Sequence, residues 1–181
     1  MAGNPTNVKI WEDADVRILK PESIVGPATL ASLTPTAITT EWDPLWLLAG
    51  LLDGSDGFGE SREWDESEHT AWGYGLIKVS SRNFKMTRTF TALEANAVTD
   101  YLYSPGDTAS VVKIAKPAQV YLAFETTADD TTKERLITKA LSRVVAPESN
   151  RNEEDLASRQ FTCNIFPNSA KELFTRQTSA T

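Results

Sequence analysis

The residues of this chain most able to do chemistry are few and far apart. There is one cysteine, Cys163, and one histidine, His69. A lone cysteine excludes an internal disulfide and the common structural zinc sites, which take at least two. A lone histidine excludes the HExxH motif and leaves one candidate base for a Ser-His-Asp triad. No G-x-S-x-G elbow accompanies it. His69 lies among acids in ESREWDESEH, where a solvated side chain is the simpler role. Cys163 shares a parity with Phe161 and Ile165, the setting of a small buried hydrophobe.

Other chemistries fare no better. Asp53, Ser55 and Gly57 have part of a calcium-loop pattern but not its D-x-D-x-D-G order. Gly54, Gly57 and Gly59 do not keep a phosphate-loop spacing. With 25 acids in 181 residues, carboxylate pairs of the kind glycosidases use arise by chance. These readings lead to no catalytic residue, no metal ligand and no cofactor, and so to a non-enzyme. The balance of 18 basic against 25 acidic side chains, net −7, argues against a surface that grips phosphates. It does not argue against one that DNA slides past. MAGNPTNVK shows no secretory h-region, and the longest apolar run, Leu45 to Leu52, is far short of a membrane span. The expectation is a protein of the cytoplasm with no membrane partner.

The elements read mainly β. Residues 7–19 alternate, with Val8, Ile10, Ala14, Val16 and Ile18 on one parity, and Lys20-Pro21 ends the run. Thr36 to Trp42 is short and β-prone. Leu45 to Leu52 suits a buried strand or a few helical turns. Residues 53–59 are a loop. Ala71 to Ser80 is apolar on both faces and reads as a central strand. Phe84, Met86, Phe90 and Ala92 then alternate with Lys85, Thr87, Thr89 and Thr91, and Arg88 interrupts the apolar side. Thr91 to Glu94 fits a capping box, which predicts a helix over 92–103 stopped by Pro105-Gly106. Further strands are expected over 110–115, 118–127 and 155–165. Residues 131–145 place Leu136, Ile137, Ala140, Leu141, Val144 and Val145 on one helical stripe, but alternate less well as a strand. Residues 168–181 read as a flexible tail.

One segment fits no core. From Glu60 to His69 both parities are polar, with five acids against one arginine, a local −4. A strand of that kind projects into solvent or touches a partner. All five tryptophans fall within the first 72 residues, where packing at a core or subunit interface is favoured.

The order of these parts resembles the major tail tube proteins of long-tailed bacteriophages, of the type infecting actinobacteria. The resemblance is carried by NVKIWEDADVRI, WDPLWLLAGLLDGSDGF, the acidic stretch ending in HTAWGYGLI, NFKMTRTFTALEANAVTDYL, and AQVYLAFET with ERLITKALSRVV, roughly Asn7 to Phe166. It implies a single domain over 1–181, a β-sandwich or half-barrel with one packed helix. It implies homohexameric rings stacked into a hollow tube in a virion tail, assembled in the host cytoplasm. The other partners it implies are a tape measure protein, a tail terminator and a distal tail protein, and DNA passes through the lumen without specific binding. A projecting loop or hairpin at 45–71 would reach neighbouring subunits, with Trp46, Asp53, Asp56, Phe58, Glu60, Arg62, Trp64, Glu66 and Glu68 as arm candidates. Lys85, Thr87 and Thr89 would form a lumen or surface face. The resemblance also makes 134–146 a strand antiparallel to 118–127, against the local helical pattern, because tertiary context overrides a weak periodicity. Three alternatives stand beside it. One is a terminator or distal ring of the same fold. Another is a monomeric β-sandwich that binds ligands on exposed tryptophans. The last is a small hydrolase with paired acids.

Overall fold

A computed structural model describes residues 8–108, 110–114, 116–150, 153 and 156–179. Half of the chain is strand and 8% is helical, so the fold is mainly β. In chain order the elements are β1 (Trp11–Leu19), a 3-10 turn (Pro21–Ser23), α1 (Leu30–Leu33), β2 (Leu47–Leu48), β3 (Gly59–Ala71), β4 (Gly75–Ala92) and α2 (Ala97–Tyr103). Then follow β5 (Ala118–Ala128), β6 (Lys133–Thr138), β7 (Ser142–Asn150), β8 (Ser158–Ile165) and β9 (Phe174–Thr178). The strands run β2-β1-β5-β7-β8-β4-β3; β6 branches from β5, and β9 pairs with β6.

Strand β5 is the joint of this sheet. One edge pairs with β1, from Leu19 opposite Tyr121 to Trp11 opposite Ala128. The other edge changes partner part-way: Ala118–Val120 pair with β7 and 123–127 with β6. Leu122 lies between these two ladders, and its buried N–H donates to the Thr138 hydroxyl at 2.9 Å. A side chain thus supplies the bond that the split ladder would leave unmade.

Alternation along β5 feeds two cores. Val120, Leu122 and Phe124 join Val16, Ile18, Val144, Phe161 and Cys163 in the main one, where the Phe90 and Phe161 rings stack at 5.0 Å. The opposite face gives Ala123 to a second cluster with Leu19, Trp46 and Ile137, covered by Ile24, Leu30, Leu33 and Trp42. Helix α2 adds Val98 and Leu102 to the main core.

Several sequence expectations are corrected. The helix starts at Ala97, not at 92. Its cap is Asn96, whose side chain accepts from the Val98 and Thr99 N–H groups. The Thr91 box loses because β4 runs on through Ala92, paired residue by residue with β8; Glu94 accepts instead from the Leu51 N–H at 3.2 Å. Residues 131–145 are not a helix: they form β6 and the start of β7, split by a turn at 139–141. The resemblance implied one strand over 134–146 antiparallel to 118–127; the structure has two, β6 and β7, each antiparallel to a different part of β5. Residues 36–42 and 110–114 form no strand. Residues 168–179 are not a loose tail, because β9 pairs with β6 from Phe174 opposite Thr138 to Thr178 opposite Glu134. Asn7, Ala115, Asp155 and residues 180–181, which entered the sequence expectations, lie outside the described residues.

Candidate functional site: a projecting hairpin and the cleft at its root

Strands β3 and β4 form one long antiparallel hairpin. Its turn is local chemistry: Gly73 and Gly75 take φ of 79° and 74°, values that favour glycine, and the Tyr74 N–H donates to the Ala71 carbonyl at 3.1 Å. Only the root of the hairpin is held by the body, where β4 pairs with β8 from Met86 onward. Beyond it every residue of β3 up to Thr70 is exposed, as are nearly all of 75–85 in β4. The two-sided polar run is therefore a strand with solvent on both faces. The apolar run 71–80, expected in the middle of a sheet, is instead the tip. Trp72 is fully exposed and Tyr74 86% exposed, with Leu76, Ile77 and Val79 beside them.

The shaft is stiffened by its own side chains. Register shifts between Glu63 and Asp65 and between His69 and Thr70. At the first shift Asn83 adopts a φ of 52°, a conformation asparagine tolerates better than most residues. Asp65 accepts from Asn83 Nδ2 at 3.0 Å and from Lys85 Nζ at 3.3 Å. These bonds, the Asn83 one first, hold its carboxyl below the usual carboxylate range. The Trp64 and Phe84 rings meet at 5.2 Å. His69 Nε2 lies 3.4 Å from the Ser80 hydroxyl.

The predicted arm residues divide between places. Glu60, Arg62, Trp64, Glu66 and Glu68 lie on β3 and Lys85 faces Asp65 across the hairpin. Thr87 and Thr89 point away from the core face that holds Met86 and Phe90 and are half-buried. Asp53, Asp56 and Phe58 lie at the hairpin root. Asp53 is held below the usual range, first by the Ser55 hydroxyl. Asp56 accepts from Thr91 Oγ1 at 2.9 Å, and Phe58 packs edge-on to Phe124 at 5.3 Å. Gly59 passes so close to Thr89 that a Cβ there would clash with its hydroxyl. Trp46 is a correction: it is 2% exposed and its indole N–H donates to the Leu33 carbonyl at 2.9 Å, so it belongs to the body.

Beside the root lies a cleft of about 540 Å³. Its lining includes the acids Glu12, Asp13, Asp15, Asp53 and Glu134 together with Leu52, Phe58 and Arg88. Burial raises the Asp15 carboxyl, with Arg17 pulling the other way. Arg88 is 9% exposed. Its guanidinium carbon lies 4.6 Å from the Phe124 ring centroid and 5.6 Å from that of Phe58. Nε sits 3.5 Å from Glu60 Oε2, yet Nε and Nη1 have no hydrogen-bond partner among the described residues. Burial lowers the Arg88 pKa, and Glu60 opposes this; an arginine stays charged regardless. Sequence reasoning marked Arg88 only as a break in the apolar parity and missed the cleft, whose walls come from distant segments.

Cys163 is fully buried, and burial raises its thiol pKa strongly. Among the described residues, no three His, Cys, Asp or Glu side chains are grouped to hold a metal ion, and no helix is long and apolar enough to cross a membrane. No known family model and no curated protein matches the chain.

Proposed function

We propose that the chain is a structural subunit of a phage tail tube. In this proposal six copies close a ring, rings stack into a hollow tube, and the tube conducts DNA during ejection. The observation that carries it is the β3–β4 hairpin, an arm exposed on both faces that ends in Trp72, Tyr74, Leu76 and Ile77. A soluble monomer gains nothing from such a tip, whereas an exposed apolar group on a polar shaft suits a contact completed by a neighbour. The resemblance of the sequence to tail tube proteins supports the same assignment. The acidic balance, net −7, suits a lumen that does not hold DNA, since phosphates are retained by clustered cations. Tape measure, terminator and distal tail proteins are the further partners this assignment brings, and the virion tail is its location.

Negative-stain electron microscopy of concentrated protein, beside a mass measurement in dilute solution, tests it. Hollow tubes are the expected product. Single closed rings that do not stack would favour a terminator or distal ring. A monomer at every concentration, even with a tail-tip extract as initiator, would overturn it.

A further inference from the structure

We propose that the loop at residues 110–114 of one copy seats in the cleft of a second copy, its aliphatic side chains on the apolar lining and Lys113 against the carboxylates. This rests on the self-assembly proposed above and adds a contact in which the hairpin takes no part.

The loop shows to solvent what a body surface ordinarily hides. Val111, Val112 and Ile114 are all exposed, Ile114 fully, and Lys113 stands among them. Local bonds shape the turn that presents them. Thr108 and Val111 exchange backbone hydrogen bonds at 3.1 and 3.3 Å, and the Lys113 N–H donates to Asp107 Oδ1 at 2.8 Å. Three aliphatic side chains are thus held outward before a partner arrives, which lowers the ordering cost of docking. Apolar groups gathered in this way mark a contact surface. Between α2 and β5 the chain carries two lysines, Lys113 and Lys116, against the single acid Asp107, so the surface is apolar and cationic.

The cleft is its complement. Leu51, Leu52 and Phe58 supply apolar lining. Of the five acids there, Glu134 is paired with Arg176 at 2.6 Å, and Asp15 lies 3.8 Å from Arg17. Glu12, Asp13 and Asp53 make no ion pair among the described residues. Arg88, the one basic residue of the lining, faces Glu60 instead. Carboxylates gathered without a counter-charge repel one another, and a lysine brought among them relieves this. A cleft of about 540 Å³ is also of ordinary binding size.

A chain cannot fill its own cleft with this loop. The cleft lies at the end of β5 where Trp11 pairs with Ala128 and Ala14 with Thr126. The loop runs into the opposite end, at Ala118. From Ala118 to Thr126 the strand covers about 26 Å at ~3.3 Å per residue. Ile114 stands four residues before Ala118, a reach of about 14 Å even at full extension. The occupant is therefore a second copy, and the contact is head-to-tail, which closes into rings or propagates along an axis. A small contact of this kind gains strength when it is made together with others in one assembly.

The test is a cysteine pair in the full chain, whose own Cys163 is buried. Leu51 is 72% exposed at the cleft and Ile114 is fully exposed on the loop. The Leu51→Cys/Ile114→Cys variant, assembled under reducing conditions and then oxidised, is expected to give a ladder of covalent multimers on a non-reducing gel. The control pair, Leu51→Cys/Val25→Cys, replaces the loop position by an exposed residue elsewhere. Rings or tubes that form without a ladder above the control would overturn the loop contact and leave the assembly standing. A ladder from solid filaments, with no hollow tube, would support the contact and overturn the tube. Failure of the wild type to associate would overturn both. Two further variants separate contact from folding. Ile114→Asp and Lys113→Glu, both on exposed side chains, are expected to keep the wild-type thermal midpoint. Ile114→Asp is expected to weaken self-association about thirtyfold, the scale of a hot-spot residue, and Lys113→Glu to weaken it less. A native midpoint with undiminished association in both would sink the proposal.

Discussion

Two buried arginines show how far one residue type is decided by its surroundings. Arg135 is 3% exposed and well supplied. Its Nε donates to Glu125 at 2.7 Å, and its Nη1 reaches the Ala37 and Thr40 carbonyls and the Gln177 side-chain oxygen, each at 3.3 Å. Trp42 lies over it at 4.3 Å and donates to the same Glu125 oxygen at 3.1 Å. Removing one partner of such a set leaves a carboxylate uncompensated, so Arg135→Ala is expected to cost about 3–5 kcal/mol, read as a fall in the urea midpoint. Nothing in the sequence flagged it, because its partners lie 10 to 98 residues away. Arg88 was legible as a parity break, though not as a buried cation whose Nε and Nη1 lack hydrogen-bond partners. A third charge gives a pH prediction. Asp130 is held down to about 2, first by the Thr132 hydroxyl and then by Lys9. Its folded value lies below the unfolded one, so its contribution is present above about pH 4 and is lost as pH falls through about 2. The stability gap between wild type and Asp130→Asn, followed by denaturant melts, should therefore close over that window.

At the level of elements, the hairpin and the body are nearly independent. Glu63 pairs with Lys85, and from there to the tip almost no side chain is buried. Replacing residues 64–84 by Asn-Gly, a pair suited to a two-residue hairpin turn, should leave the thermal midpoint within about 4 °C of the full chain. The same excision should abolish self-association, measured by sedimentation. A midpoint lowered far beyond that would mean the arm stabilises the body. Which elements were legible follows the same division. Strands whose faces differ, such as Val120-Leu122-Phe124 in β5 and Met86-Phe90-Ala92 in β4, announce themselves by alternation. The polar arm was legible for the opposite reason, having no apolar face. The strands at 133–138 and 142–150 were not, because β6 is made a strand by β5 and β9 on either side of it. The tip misled most: an apolar run reads as core, yet here it stands exposed at the end of the hairpin.

For the whole molecule, mainly β composition and acidic charge were legible, whereas the division of β5 between β6 and β7 was not, since it depends on pairings across the chain. Net −7 predicts that filter binding of duplex DNA at about 0.15 M salt gives a Kd weaker than about 10⁻⁴ M. A tighter value would argue against a conduit that releases DNA freely. The joint strand has a further consequence, in time rather than in space. β1 is synthesised long before its partner β5, with Trp11 opposite Ala128. Loop closure over such distances is slow, and β-rich chains of high contact order fold in milliseconds to seconds. The hairpin needs only its own 59–92 stretch, and isolated hairpins zip in microseconds. On the ribosome the arm can thus be formed before β5 has emerged and before the cleft has walls. Any contact that needs both the arm and the completed body therefore becomes possible only after β5 has been made, so the order of synthesis itself sets the arm ahead of the body.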